Sequence, residues 1–166
     1  VWGHDEFDAF FRAEFPPLVA FLCKAGFEVE TARDVAAEAM LHALEAWPVA
    51  GDPRAWVRRV TGRLLNAAGE AAGEARADWS LLGDPRDDEE LAALLEKHAE
   101  LIELLASLPG RQRMVLAWSL DGFTPAQIAE ALRITPSTVR STLRHVRERL
   151  RRQPRARPGG HRERER

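Results

Sequence analysis

The sequence predicts an all-α protein made of two small helical domains joined by an acidic linker. Three observations lead there. Apolar residues recur at three- and four-residue intervals along most of the chain, and no alternating strand pattern occurs anywhere. The stretch from 69 to 90, GEAAGEARADWSLLGDPRDDEE, loses that period and ends in a cluster of acids. Charge divides further along: residues 111–166 hold 14 arginines against 5 acids, whereas residues 1–110 hold 10 basic and 21 acidic residues. A net charge of −2 therefore hides an acidic half and a strongly basic half. Such asymmetry points to a polyanionic partner for the basic half.

Taken in order, the helices begin with residues 5–24, where Phe7, Phe10, Phe11, Phe15, Leu18, Phe21 and Leu22 follow a helical period. Pro16-Pro17 interrupts this run, which predicts a kink or a break. Thr31 with Asp34 reads as an N-cap, followed by the apolar face Val35, Ala39, Met40, Ala43, Leu44 and Trp47. Asp52-Pro53 opens a third helix with Trp56, Val57, Val60, Leu64 and Leu65 facing inward. These elements make an N-terminal bundle over residues 1–68, and 69–97 forms the acidic linker, in which Trp79, Leu81 and Leu82 are candidates to dock.

Helical signals resume near Glu89 and run to Leu108 with the stripe Leu101, Ile102, Leu105 and Leu108. Pro109-Gly110 stops them, and Met114, Val115 and Trp118 mark a short helix before the turn at Asp121-Gly122. Two Thr-Pro pairs then start two more helices. Thr124 caps the first, with Pro125 at its opening position and Gln127 completing a capping box; Ile128, Ala129 and Leu132 form its buried side. Thr135-Pro136 caps the second, whose apolar stripe is Val139, Leu143, Val146 and Leu150. At 100° per residue, Arg140, Arg144, Arg147 and Arg151 fall about 80–140° from Val139, with Ser137 and Ser141 beside them. Residues 98–152 thus form a C-terminal domain containing a helix-turn-helix, and 153–166 reads as a disordered, Arg-rich tail.

That arginine face fits DNA, since guanidinium groups bond phosphates and guanine edges. Glu148 is the only acid within residues 137–151, so pairing inside the helix cannot neutralise the face. An enzyme is not indicated. His4, His42, His98, His145 and His161 are scattered without metal-ligand spacing, and no Gly-rich phosphate loop occurs. Cys23 on an apolar helix reads as core, and a single cysteine fits a reducing cytoplasm. No catalytic residue, metal or cofactor is expected. No apolar run approaches the roughly 18 residues of a membrane span, and the first residues lack signal-peptide order. The expectation is a cytoplasmic protein.

The segment LASLPGRQRMVLAWSLDGFTPAQIAEALRITPSTVRSTLRHVRERLR resembles the C-terminal domain of bacterial sigma factors of the extracytoplasmic-function group. Leu108-Pro109, Arg113, Asp121-Gly122, Ile128-Ala129 and Thr138-Val139 with Ser141 and Leu143 carry the likeness. More loosely, ARDVAAEAMLHALEAW resembles the family's polymerase-binding helix and DPRAWVRRVTGRLLNA its promoter-melting helix. The resemblance implies a non-catalytic subunit that brings core RNA polymerase to promoter DNA. It places Asp34, Glu38 and Leu41 on the polymerase-binding surface. Ser137, Thr138, Arg140, Ser141, Arg144, Arg147 and Arg151 would meet the minus-thirty-five element, with Arg113 on a phosphate. Arg58, Arg59 and Arg63 would meet the minus-ten element. An anti-sigma factor or an auxiliary activator are the further partners it allows. Asp84, Asp87, Asp88, Glu89 and Glu90 stand where similar proteins thread a linker toward the polymerase cleft.

The sequence also departs from that family. Ala37 replaces a usual glutamine, Met40 an aromatic, Arg63 an asparagine and Ala67 an aspartate, while Glu70 and Glu74 follow where basic residues are common. Two other readings stay open: a helix-turn-helix regulator that acts without polymerase, and a sigma-like protein that binds polymerase without supporting initiation.

Overall fold

A computed structural model describes residues 2–70 and 88–153. Seven α-helices and no strand occur among the described residues: α1 (Trp2–Lys24), α2 (Val29–Glu45), α3 (Pro53–Glu70), α4 (Asp88–Leu105), α5 (Gly110–Leu120), α6 (Pro125–Leu132) and α7 (Pro136–Arg152). Trp79, Leu81, Leu82, Asp84, Asp87, Glu74 and the tail beyond Gln153 lie outside the described residues.

Helix α1 runs unbroken through Pro16 and Pro17, against the expected kink or break. The prolines leave the carbonyls of Arg12 and Ala13 without their usual helical donors. Both of those residues are exposed, so water can take over. Meanwhile Phe15, Leu18, Val19, Phe21 and Leu22 are buried on the same helix. Burial of such side chains is worth about 1.5–3 kcal/mol each, which outweighs the loss at the prolines and holds the helix together.

The start of α2 also differs from the sequence reading. Its N-cap is Glu28, which makes no side-chain capping bond, so Thr31 and Asp34 sit inside the helix. Here the small residues decide. Ala32, Ala36, Ala37, Ala39 and Ala43 are buried, which lets α2 lie close against its neighbours. Helix α3 begins as expected, with the carboxylate of Asp52 accepting from the Arg54 amide at 2.9 Å. Val57 and Val60 are buried, and Trp56, Leu64 and Leu65 are half-buried.

Helix α4 starts at Asp88, so residues 88–97, read from sequence as the end of the linker, are already helical. Its acidic opening suits the positive end of the helix dipole, and Leu91 is buried against the core. Further along, Leu105 and Leu108 pack with Val146 of α7. The capping box of α6 forms as written: the Thr124 hydroxyl accepts from the Gln127 amide at 3.2 Å, and the Gln127 side chain accepts from the Thr124 amide at 2.8 Å. Arg133, at φ 55°, ends α6 in the left-handed conformation. Thr135 then caps α7 by accepting from the Thr138 amide at 3.1 Å. The repeated Thr-Pro signal therefore starts two real helices.

One hydrophobic cluster joins the N-terminal helices to the C-terminal ones. Phe21 of α1 meets Trp118 of α5 edge-on with ring centroids 5.6 Å apart, and Trp118 meets Phe123 at 5.0 Å. Leu105, Leu108 and Val146 make a second, smaller cluster between α4 and α7.

Candidate nucleic-acid interface

Helix α7 divides cleanly by face. Val139, Leu143 and Val146 are buried, which fixes the roll of the helix on α4, α5 and α6. Arg140, Arg144, Arg147 and Arg151 are exposed on the other side, with Ser137 and Thr138 exposed and Ser141 half-buried at the same end. Among the described residues none of these four arginines forms an ion pair. A row of unpaired guanidinium groups on one helix offers a fixed set of donors to phosphate and to base edges. The short α6 and the tight turn through Arg133 brace this helix from behind.

Arg113 lies elsewhere. Its Nη2 donates to the carbonyls of Ala106 and Leu108, both at 3.0 Å, and so ties down the turn between α4 and α5. It also packs over Gly26, where φ is +109° and an added Cβ would stand 2.0 Å from Nη1. Its guanidinium thus has a structural task in this arrangement, separate from the α7 face.

The arginines of α3 fall into two groups. Arg63 is exposed and Arg59 half-buried; both line a cleft of about 590 Å³ against Glu130, Leu132 and Arg133. Arg58 must be removed from any surface set in this arrangement, because its side chain is 0% exposed. It bonds Asp121 through Nη2 at 2.8 Å and Nε at 3.0 Å, and Glu14 at 2.5 Å. A charge taken this far out of water requires close partners. Lys24 joins the same group, 2.7 Å from Asp121, while Arg54 reaches Glu14 at 3.3 Å and the Asp121 carbonyl at 3.1 Å. Sequence reasoning took Asp121 as a turn residue and passed over Glu14, Lys24 and Arg54. A signal was present: Arg58, Thr61 and Leu65 share one helical face, so Arg58 sits at a core position.

On α2, Asp34 is exposed, and Glu38 and Leu41 are half-buried along one ridge. Ala37 and Met40, two of the departures noted in the sequence, are both 0% exposed. Both lie beneath α2, away from its outer surface. Among the described residues no three His, Cys, Asp or Glu side chains come together as a metal site, and no helix is long and apolar enough to cross a membrane.

Comparison with known families bears on the same helices. Residues 98–150, from the middle of α4 to the end of α7, match the family model for sigma-70, region 4. The C-terminal segment is similar to sigma-70 region 4. No curated protein matches the chain. Within the matched segment, α6 and α7 form the helix-turn-helix, and the exposed arginine row lies on its second helix, which suits a DNA-binding role.

Proposed function

We propose that the chain is a sigma factor of the extracytoplasmic-function group, which binds core RNA polymerase and directs it to promoters. The division of labour follows the chain: residues 1–68 hold polymerase and meet the minus-ten element, 69–97 connect, and region 4 reads the minus-thirty-five element. The observation that carries this reading is the unpaired arginine face of α7 within the segment that matches region 4. Arg140 and Arg144, with Ser137, Thr138 and Ser141, read base edges in the major groove, and Arg147 and Arg151 hold phosphates. Arg59 and Arg63 are the remaining minus-ten candidates on the surface of α3. Core polymerase rests on the α2 ridge of Asp34, Glu38 and Leu41, whose spacing suits a partner helix. The protein acts as a non-catalytic cytoplasmic subunit, open to control by an anti-sigma factor or an activator.

Co-purification tests the polymerase half of this reading. The chain should be retained by immobilised core polymerase, and the double change Asp34→Lys, Glu38→Lys should abolish retention while helical content stays native. Equal retention of the variant removes α2 from the interface. No retention of the unaltered chain favours a regulator that binds DNA without polymerase.

A further inference from the structure

Helix α4 carries an acidic ridge opposite its buried face. At 100° per residue, Glu89, Glu100 and Glu103 fall within about 40° of Glu96, whereas the buried Leu91 and Leu105 fall about 140–180° away. All four glutamates are exposed, and among the described residues none forms an ion pair. Glu89 suits the positive end of the helix dipole, but the other three have no such support. Glu96 and Glu100 stand four residues apart and Glu100 and Glu103 three apart, so they repel one another. Glu103 also lies in the last turn, where the dipole is negative and no basic residue offsets it. The ridge therefore calls for cations from elsewhere.

The chain brings cations to this end of the helix. Gln153, the residue after α7, donates from Nε2 to the Ser107 hydroxyl at 2.7 Å. Residue 154 thus starts beside the end of α4, where Ser107 stands four residues beyond Glu103. Residues 154–166, PRARPGGHRERER, hold Arg155, Arg157, Arg162, Arg164 and Arg166 against Glu163 and Glu165.

We propose that residues 154–166 dock along the α4 ridge as an intramolecular strap, which holds their arginines away from other polyanions. Reach allows it. Thirteen extended residues span up to about 43 Å, and the ridge from Glu103 back to Glu89 is about 21 Å long. The sequence pattern suits it as well. Arg155 with Arg157, and Arg162 with Arg164 and Arg166, stand two residues apart, so an extended segment puts each set on one side. Glu163 and Glu165 then turn away from the ridge. Docking displaces no packed side chain, because the ridge faces away from the core. Nucleic acid is the competitor for the same arginines, and the ridge is what keeps them from it in the free chain.

The chain alone, without polymerase or promoter, tests the strap. Spin labels are attached through Ala99→Cys, exposed beside the ridge, and Gly160→Cys, while the buried Cys23 stays unlabelled. Dipolar spectroscopy at low salt should give one short-distance population. It should broaden in about 1 M salt, where the Debye length is near 3 Å, and in Glu96→Gln, Glu100→Gln, Glu103→Gln. A distribution that the three substitutions leave unchanged overturns the proposal. So does a short distance between singly labelled chains after mixing, which assigns the ridge to a second copy. Duplex titrations supply the second measurement. The ridge variant should bind random duplexes more tightly, its salt slope steepened by up to about 4.5, or 0.9 for each arginine released. That gain should vanish when the five arginines of residues 154–166 are changed to glutamine. An equal gain in both backgrounds overturns the strap, since the ridge then acts on DNA directly.

Discussion

Among single residues, the arginines of this chain illustrate how position decides role. Arg140, Arg144, Arg147 and Arg151 were legible from sequence because their 100° phase separates them from Val139, Leu143 and Val146, and all four are exposed. Arg58 was harder to place, because the pair Arg58-Arg59 reads as surface and its partners, Glu14 and Asp121, are distant in sequence. Arg140→Ala or Arg144→Ala should relax preference at one or two base pairs by about 1–3 kcal/mol. Arg151→Ala should instead weaken all duplexes alike and lower the magnitude of the salt slope by about 0.9. Binding of the full chain to randomised duplexes at several salt concentrations measures both. His98 offers a separate test. Burial lowers its pKa below 6.5, and the nearby charges of Lys24 and Lys97 lower it further, with Asp121 opposing them. A proton is then bound more readily by the unfolded chain, so His98 makes stability fall as pH drops below about 6.5. Denaturant midpoints between neutral and mildly acid pH should show that loss, and His98→Gln should reduce it.

At the scale of elements, the sequence was most legible where side chains cap their own helix. Thr124 with Gln127, Thr135 and Asp52 all make the local bonds that their positions promise. Legibility failed where tertiary packing overrides local chemistry. Pro16 and Pro17 do not break α1, because the helix is clamped by Phe15, Leu18, Val19, Phe21 and Leu22. The start of α2 moved upstream of Thr31 for a related reason, since buried alanines hold it and no side-chain cap is needed. A helix-interior proline costs roughly 3 kcal/mol, while its rigidity in the unfolded chain returns about 0.4–1 kcal/mol. Pro17→Ala should therefore stabilise the protein by roughly 2 kcal/mol, read as a rise in the urea midpoint at constant slope. An unchanged or lower midpoint would show that the carbonyl of Ala13 is better satisfied by water than by the restored amide.

For the whole molecule, the order of helices and the helix-turn-helix could be read from periodicity, whereas their assembly could not. Nothing in the apolar pattern distinguishes a residue that packs within its own bundle from one that packs across to the other half, and Phe21, Trp118 and Phe123 do both. The charge asymmetry that first suggested a polyanionic partner takes on structure here: the α7 arginines remain open to solvent, while Lys24 and Arg58 are held by Asp121. The central claim is promoter-directed initiation, and it is tested most directly by run-off transcription with core polymerase and fragments selected for α7-dependent binding. Core polymerase with the chain should give transcripts of defined length that disappear when the chain is omitted or carries Arg140→Ala, Arg144→Ala. Efficient binding to both polymerase and DNA with no transcript above core polymerase alone would contradict it.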